Sequence, residues 1–328
     1  MKLIEPLKKV KLLKLNELKD EDLVFCTFMV GSSGAKETNL EIASAAKRDF
    51  FNFFNSNFSA IIPVELGGGA LGESLAMAAA LDLPLVDADI VGYRAAPEIF
   101  LETITLKNLS RTPLVVRSEK GSMAILVDSS DSNFTEKFLR DFAINSGGVA
   151  YVCGYPLKIK DIKDIVGNDS ISFCLKVGKA IQEKTFTPNL KEFGFVKLDE
   201  GVISQVELLN YNGFLQGFYE VKSKKDIYRV LVKNENILCK KNNRTLVTTP
   251  DSICILNAEK EEPVYNRDIQ PGMKVLILLR KAIPIWLSKQ GIYLFEPRNI
   301  GFTERYVDFE KELAGENFNK DKGNMEEY

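Results

Sequence analysis

The sequence predicts an α/β protein: an N-terminal, mostly parallel βαβ region followed by a β-rich C-terminal region, a small barrel or a sandwich. Three observations carry that expectation. Strand, glycine-rich break and helix follow one another twice between residues 23 and 81, the order of parallel βαβ units. Beyond about residue 193 the texture changes to short alternating segments separated by Asn, Gly and Asp turns, which suits a small barrel or sandwich. The chain has 328 residues, 45% apolar and 27% charged, enough for two domains with full-sized cores.

The elements follow in order. "LVFCTFMV" (23–30) reads as a buried strand, a short apolar run rich in aromatic and β-branched residues. "GSSGAKE" breaks it, and a helix follows with apolar spacing at Leu40, Ile42, Ala43, Ala46, Phe50 and Phe53. "AIIPVEL" (60–66) is a second strand, "GGG" a second break, and a helix runs from about Leu71 to Leu81. "LPLVDAD" is a third strand. "PLVVRS" and "SMAILVDSS" form a hairpin across "EKG", and "NFTEKFLRDFAINSG" a helix capped by Asp131 or Asn133 and stopped at Gly147. "VAYVCGYPL" is a further strand, and a helix at about 170–184 begins behind Asp169 or Ser170 as cap. The expected division is 1–168 as the α/β domain and 169–328 as the β-rich one, with a polar tail at about 314–328.

Composition removes several function classes. A formal net charge of −2 gives no basic field for nucleic acid or an anionic membrane. No segment approaches a membrane-spanning apolar run, and "MKLIEPLKKVKLLKL" interleaves its lysines with apolar residues as an exposed strand does. Five scattered cysteines without C-x-x-C spacing fit a reducing, cytoplasmic setting. The chain has no histidine, so imidazole acid–base chemistry, Ser-His and Cys-His nucleophile pairs and His-based zinc sites are excluded. Catalysis would rest on carboxylates, Lys, Arg, Tyr, Cys, backbone dipoles or a metal held by oxygen ligands.

"ELGGGALGESLAMAAALDLPLVDADIVGYRAAPE" (65–98) concentrates the candidates. Gly67, Gly69 and Gly72 fit G-x-G-x-x-G, with Asp87 closing the next strand where a ribose-binding carboxylate would stand, so a dinucleotide-binding oxidoreductase is one reading. The other is a small-molecule crevice. The helix N-termini behind Ser33–Gly34 and behind Gly67, Gly68 and Gly69 would offer N–H groups to an anionic or carbonyl-bearing ligand. Glu65, Asp87 and Asp89 would share that rim, as acid and base or as oxygen ligands of a divalent metal. Arg94 would clamp the ligand, and Glu98 would complete the acid–base set or simply pair with Arg94 at i,i+4.

This stretch resembles the S-methyl thiohydantoin desulfurase family, associated with hydantoin utilisation, whose hallmark runs Glu-Leu, several glycines, an Ala-rich helix and "lglPvvDaDgmGRAfPE". The resemblance continues through "VLVKNENILCKKNNRTLVTTPDSICIL", "PGMKVLILLRKAIPIW" and "GIYLFEPRNIGF" and so spans nearly the whole chain. It departs at "DIVGYRAAPE", where Tyr93 stands between Gly92 and Arg94 and alanine occupies 96. The resemblance implies hydrolytic release of methanethiol from an S-methylated thiohydantoin, or action on a hydantoin or related cyclic amide. Glu65 or Asp89 would then be the base, Asp87 or Glu98 its partner, and Arg94 the substrate clamp. A small-molecule substrate and a homo-oligomeric state are expected. A non-catalytic ligand-binding protein, or partner subunit of a hydantoinase-like enzyme, is the alternative.

Overall fold

The computed structural model describes residues 10–33, 40–54 and 56–315. The basic opening up to residue 9, Gly34 and most of the polar tail lie outside the described residues. The chain divides into two compact units, residues 1–179 with 210–215, and residues 180–209 with 216–328. Among the described residues no helix is long and apolar enough to cross a membrane.

The first unit contains β1 (Leu12–Leu13), β2 (Leu23–Gly31), α1 (Leu40–Phe53), β3 (Ala60–Ile61), α2 (Gly68–Leu81), β4 (Leu85–Val86), β5 (Ala88–Asp89), β6 (Leu114–Ser118), β7 (Met123–Leu126), α3 (Ser132–Asn145), β8 (Val149–Lys158), α4 (Ile159–Ile162), β9 (Gly167–Asn168) and most of α5 (Ser170–Gln182). Its main sheet has the order β1-β4-β3-β2-β8-β6-β7. The first four strands are parallel, and β8, β6 and β7 continue the sheet antiparallel. The expected α/β class holds, with parallel pairing confined to one half of the sheet.

Several elements are shorter than the sequence suggests. "AIIPVEL" pairs only through Ala60 and Ile61, because Pro63 has no N–H to donate. The chain beyond it is engaged elsewhere: Ile90 N–H donates to the Pro63 carbonyl at 3.2 Å and Val91 N–H to Val64 at 2.9 Å. "LPLVDAD" divides at Asp87 into β4 and β5, and β5 leaves the main sheet to pair antiparallel with β9. By contrast α2 begins earlier than expected, at the glycines themselves, with Gly67 as N-cap.

Helices α1 and α2 cover one face of the sheet. Phe25, Phe50, Ile61, Met77 and Tyr151 are buried there, and Phe25 lies against Phe50 and Phe58 with ring centroids 6.0 and 4.8 Å apart. Phe53, expected on the buried stripe of α1, is 45% exposed, while Phe54 packs against the core in its place. Helix α3 packs on β2 and β8 and carries Arg140, only 7% exposed. Its guanidinium pairs with Glu136 at 2.7 Å and donates to the carbonyls of Gly31 (2.8 Å), Pro97 (3.0 Å) and Gly213 (3.0 Å). It also lies 3.9 Å over the Phe214 ring. One buried cation thereby satisfies the end of β2, the 97 segment and the 210–215 tip, as burial of a charge requires.

The second unit consists of β10 (Phe195–Tyr211), β11 (Phe214–Lys222), β12 (Ile227–Lys233), β13 (Glu235–Lys241), β14 (Arg244–Thr248), β15 (Ser252–Asn257), β16 (Lys274–Arg280), α6 (Pro284–Leu287) and α7 (Lys289–Phe295). They form an antiparallel sheet in the order β14-β13-β12-β11-β10-β16-β15, which is the strand-dominated, barrel-like half that the turn spacing predicts. It curls so that β13 meets β15. Asn236 spans the curl, accepting from Tyr219 Oη at 3.1 Å and donating to the Ile253 carbonyl at 2.9 Å. Val221, Val230, Cys239, Ile255 and Ile277 fill its core.

Arg140→Met should lower the free energy of unfolding by about 3–5 kcal/mol, since it leaves the buried Glu136 carboxylate without its cation and takes a donor from three carbonyls. Urea denaturation of the two proteins at one pH measures this.

Candidate functional site

Helix α2 starts where the parallel strands end, so its first turn forms one wall of a rim. Gly67 has ordinary extended dihedrals, φ −61° and ψ 133°; its lack of a side chain serves space. A Cβ there would sit 2.6 Å from Glu65 Oε1, so glycine is what lets the Glu65 carboxylate lie over the helix start, where the positive end of the dipole favours it. The other Glu65 oxygen accepts the Ala96 N–H at 2.9 Å, and Leu66 N–H donates to the Arg94 carbonyl at 3.2 Å. The Glu65–Gly67 loop and the Arg94–Ala96 strip are therefore two sides of one structure. Gly68 and Gly69 are exposed at its edge. Arg94 is half-buried, its Nε donating to Ala95 O at 3.0 Å. Glu98 is half-buried at the head of a 3₁₀ turn over Ile99–Leu101.

Asp87 and Asp89 are committed differently. Asp87 is 2% exposed, and its carboxylate accepts the N–H groups of Ile171 and Ser172, both at 2.9 Å, and the Ser172 hydroxyl at 2.6 Å. It is the N-terminal cap of α5, supplied from 84 positions away, in place of the expected Asp169 or Ser170. Asp87 also lines a cavity of about 550 Å³ with Lys14, Lys163 and Asp169, a cavity that includes none of Glu65 or Gly67–Gly69. Asp89 is fully buried; it accepts the N–H groups of Gly92 at 2.5 Å and Tyr93 at 3.0 Å and so shapes the turn that sends Arg94 back toward Glu65. Burial pushes its carboxyl up to about 7. Tyr93 adopts φ 61°. Its hydroxyl donates to the Asn168 carbonyl and its ring meets Phe173 edge-on at 5.3 Å. Tyr93 thus ties the turn to β9 and α5.

Of the predicted residues, the structure brings together Glu65, Gly67 and the Arg94–Ala96 strip. Asp87 and Asp89 act behind that strip as its supports. Ser33 is exposed beyond β2, and Gly34 lies outside the described residues. Among the described residues no group of three or more Cys, Asp or Glu stands close enough to hold a metal ion. The carboxylates that suggested a divalent cation are divided among three separate hydrogen-bonding arrangements. The dinucleotide reading loses its ribose carboxylate to the α5 cap, and its first glycine makes room for Glu65 rather than a tight turn.

One residue was missed. Glu73, on α2, is 1% exposed, and Oε2 has no hydrogen-bond partner among the described residues. Burial pushes its carboxyl up to about 8. The signal was present: Glu73 falls on the stripe Ala70, Ser74, Met77 and Ala78, the i, i+3, i+4, i+7 face that an Ala-rich helix buries. Cys153 is 1% exposed; burial, then Glu73, push its thiol well above the usual range, which makes it a poor nucleophile.

Family models match both parts of the chain, the N-terminal domain of S-Me-THD-like proteins over residues 1–128 and the C-terminal domain over residues 129–309. A crystal structure of a protein from Chromobacterium violaceum is similar over 92% of this chain and 87% of that one, with a TM-score of 0.75 at 18% identity. That likeness is one of fold. No curated protein matches the chain.

Two outcomes follow from these geometries. Asp87→Ala should cost about 2–4 kcal/mol, because it removes the cap and three bonds to a carboxylate, and hydrogen exchange should rise first at the start of α5. Glu73 and Asp89 hold protons in the folded protein up to about 8 and about 7 that the unfolded chain releases above about pH 4. Their stabilisation is complete below that pH and is lost as pH rises through 7 to 8. Between pH 5 and 8 the urea midpoint should therefore fall more steeply for the wild type than for Glu73→Gln.

Proposed function

Because the chain belongs to the S-Me-THD-like family, we propose that it is a hydrolase-type enzyme acting on a thiohydantoin, hydantoin or related cyclic amide by carboxylate-assisted attack of water. The observation that carries this reading is Glu65. Its carboxylate stands half-buried over the first turn of α2, beside exposed glycine backbone and across from the strip that bears Arg94.

On an S-methylated ring, Glu65 takes a proton from water as the oxygen bonds to the amidine-like carbon. An acid protonates the ring nitrogen, the C–S bond breaks, and methanethiol leaves with the second proton while the carbon becomes a carbonyl. The free N–H groups at the start of α2 suit the developing negative charge. Arg94 clamps the ligand, and Glu98 serves as the partner acid. Asp87 and Asp89 contribute as positioning residues, through α5 and the Gly92–Tyr93 turn.

The test is release of methanethiol from S-methyl thiohydantoins by the purified protein, followed with a thiol reagent. Glu65→Gln should lower kcat by about 10²-fold or more with its unfolding midpoint unchanged. No turnover of any thiohydantoin or hydantoin by the wild type, or undiminished turnover by Glu65→Gln, would sink the reading.

A further inference from the structure

Where α2 lies on β2, the interior of the first unit leaves a donor–acceptor deficit among the described residues. Two contacts set the depth of α2 on the sheet. A Cβ at Gly69 would lie 3.2 Å from Met29 Cε, and Ser74 Oγ donates to the Thr27 carbonyl at 3.3 Å. Glu73 therefore lies about 6 Å along the helix axis below the exposed Gly69, level with Thr27. Thr27 and Cys153 are opposite one another in the β2–β8 ladder, so their side chains leave the same face of the sheet, the face buried under α1 and α2. Of the titratable side chains, Glu73 acts most strongly on the Cys153 thiol, followed by Lys47 of α1.

Glu73 Oε2 and Thr27 Oγ1 are both buried without a hydrogen-bond partner among the described residues. Native interiors pair such groups. The same unit does so elsewhere: Glu102, also 1% exposed, accepts from Arg111 Nε at 2.7 Å and from Tyr155 Oη at 3.2 Å. A carboxyl buried without such a partner stays uncharged. It then presents an O–H donor and a C=O acceptor side by side, the complement of an N–C=O or N–C=N edge.

We propose that Glu73 is the residue that reads the ligand's ring: its uncharged carboxyl takes the N–C=O or N–C=N edge of an uncharged five-membered cyclic amide, with the Thr27 hydroxyl as a further partner. This deepens the function proposed above and rests on it. Half-buried Met29 stands between the rim and Glu73, and its flexible thioether is the side chain that yields.

The test is calorimetric titration of the full chain at pH 6.5 with hydantoin and with 2-methylthio-imidazol-4-one, alongside thermal unfolding. Glu73→Gln keeps a donor and an acceptor and should bind within about threefold of wild type, whereas Glu73→Leu should lose about tenfold or more while unfolding no earlier. Thr27→Val, close in shape, should weaken binding several-fold; it decides the matter should the leucine variant fail to fold. Unchanged affinity in Glu73→Leu or in Thr27→Val, equal loss in Gln and Leu, or no binding of either ring to the wild type would overturn the proposal. Binding that depends on Glu73 without turnover would remove the hydrolase reading alone; turnover undiminished in Glu73→Leu would remove this one alone.

Discussion

The first unit depends on the capping of α5 by Asp87. That carboxylate fixes the end of β4 to the first turn of a helix, through an N–H 84 positions later, and the Asp87 carbonyl accepts the Asp169 N–H at 2.8 Å. With both ends held, β5 pairs with β9, and Asp89 is buried beneath the turn that carries Tyr93. The direction of that turn brings the Arg94–Ala96 strip onto Glu65. A helix cap thus sets the geometry of a rim to which it contributes no atom, through charge-assisted bonds stronger than those between neutral groups.

The unit also contrasts satisfied with unsatisfied burial. Arg140 and Glu102 are buried with their hydrogen-bonding capacity engaged, and they join segments distant in sequence. Glu73 is buried as deeply but with an oxygen unengaged, on the helix that follows the glycines and on the face turned to the sheet. A group of that kind raises the energy of the fold.

Much of this was legible in the residues. "LVFCTFMV", "VAYVCGYPL" and "PLVVRS" became strands because their apolar and β-branched content has no better use than a sheet interior, and "SMAILVDSS" pairs as the half-exposed edge strand beside them. Asp131 became the cap of α3, accepting from Asn133 and Phe134 N–H, since an adjacent Asp reaches a free N–H locally. The acids were legible as a group but not in their separate roles. Asp87 and Asp89 differ by two positions, and whether each faces a rim or a helix end depends on where α5 and β9 lie. Glu73 carried a periodicity signal of its own, obscured by the brighter pattern of glycines beside it.

The sequence by itself determined the class of fold, the family and the absence of imidazole chemistry. Each of these follows from composition, period or a contiguous motif. Only the tertiary structure decided that Gly67 makes room for a carboxylate, that Asp87 caps a helix, that Tyr93 ties its turn to the Asn168 carbonyl and that Glu73 Oε2 is buried with no partner among the described residues. The Asp87 and Tyr93 bonds rest on partners far away in the chain, and the bonding of a polar side chain is fixed by the groups that folding brings to it.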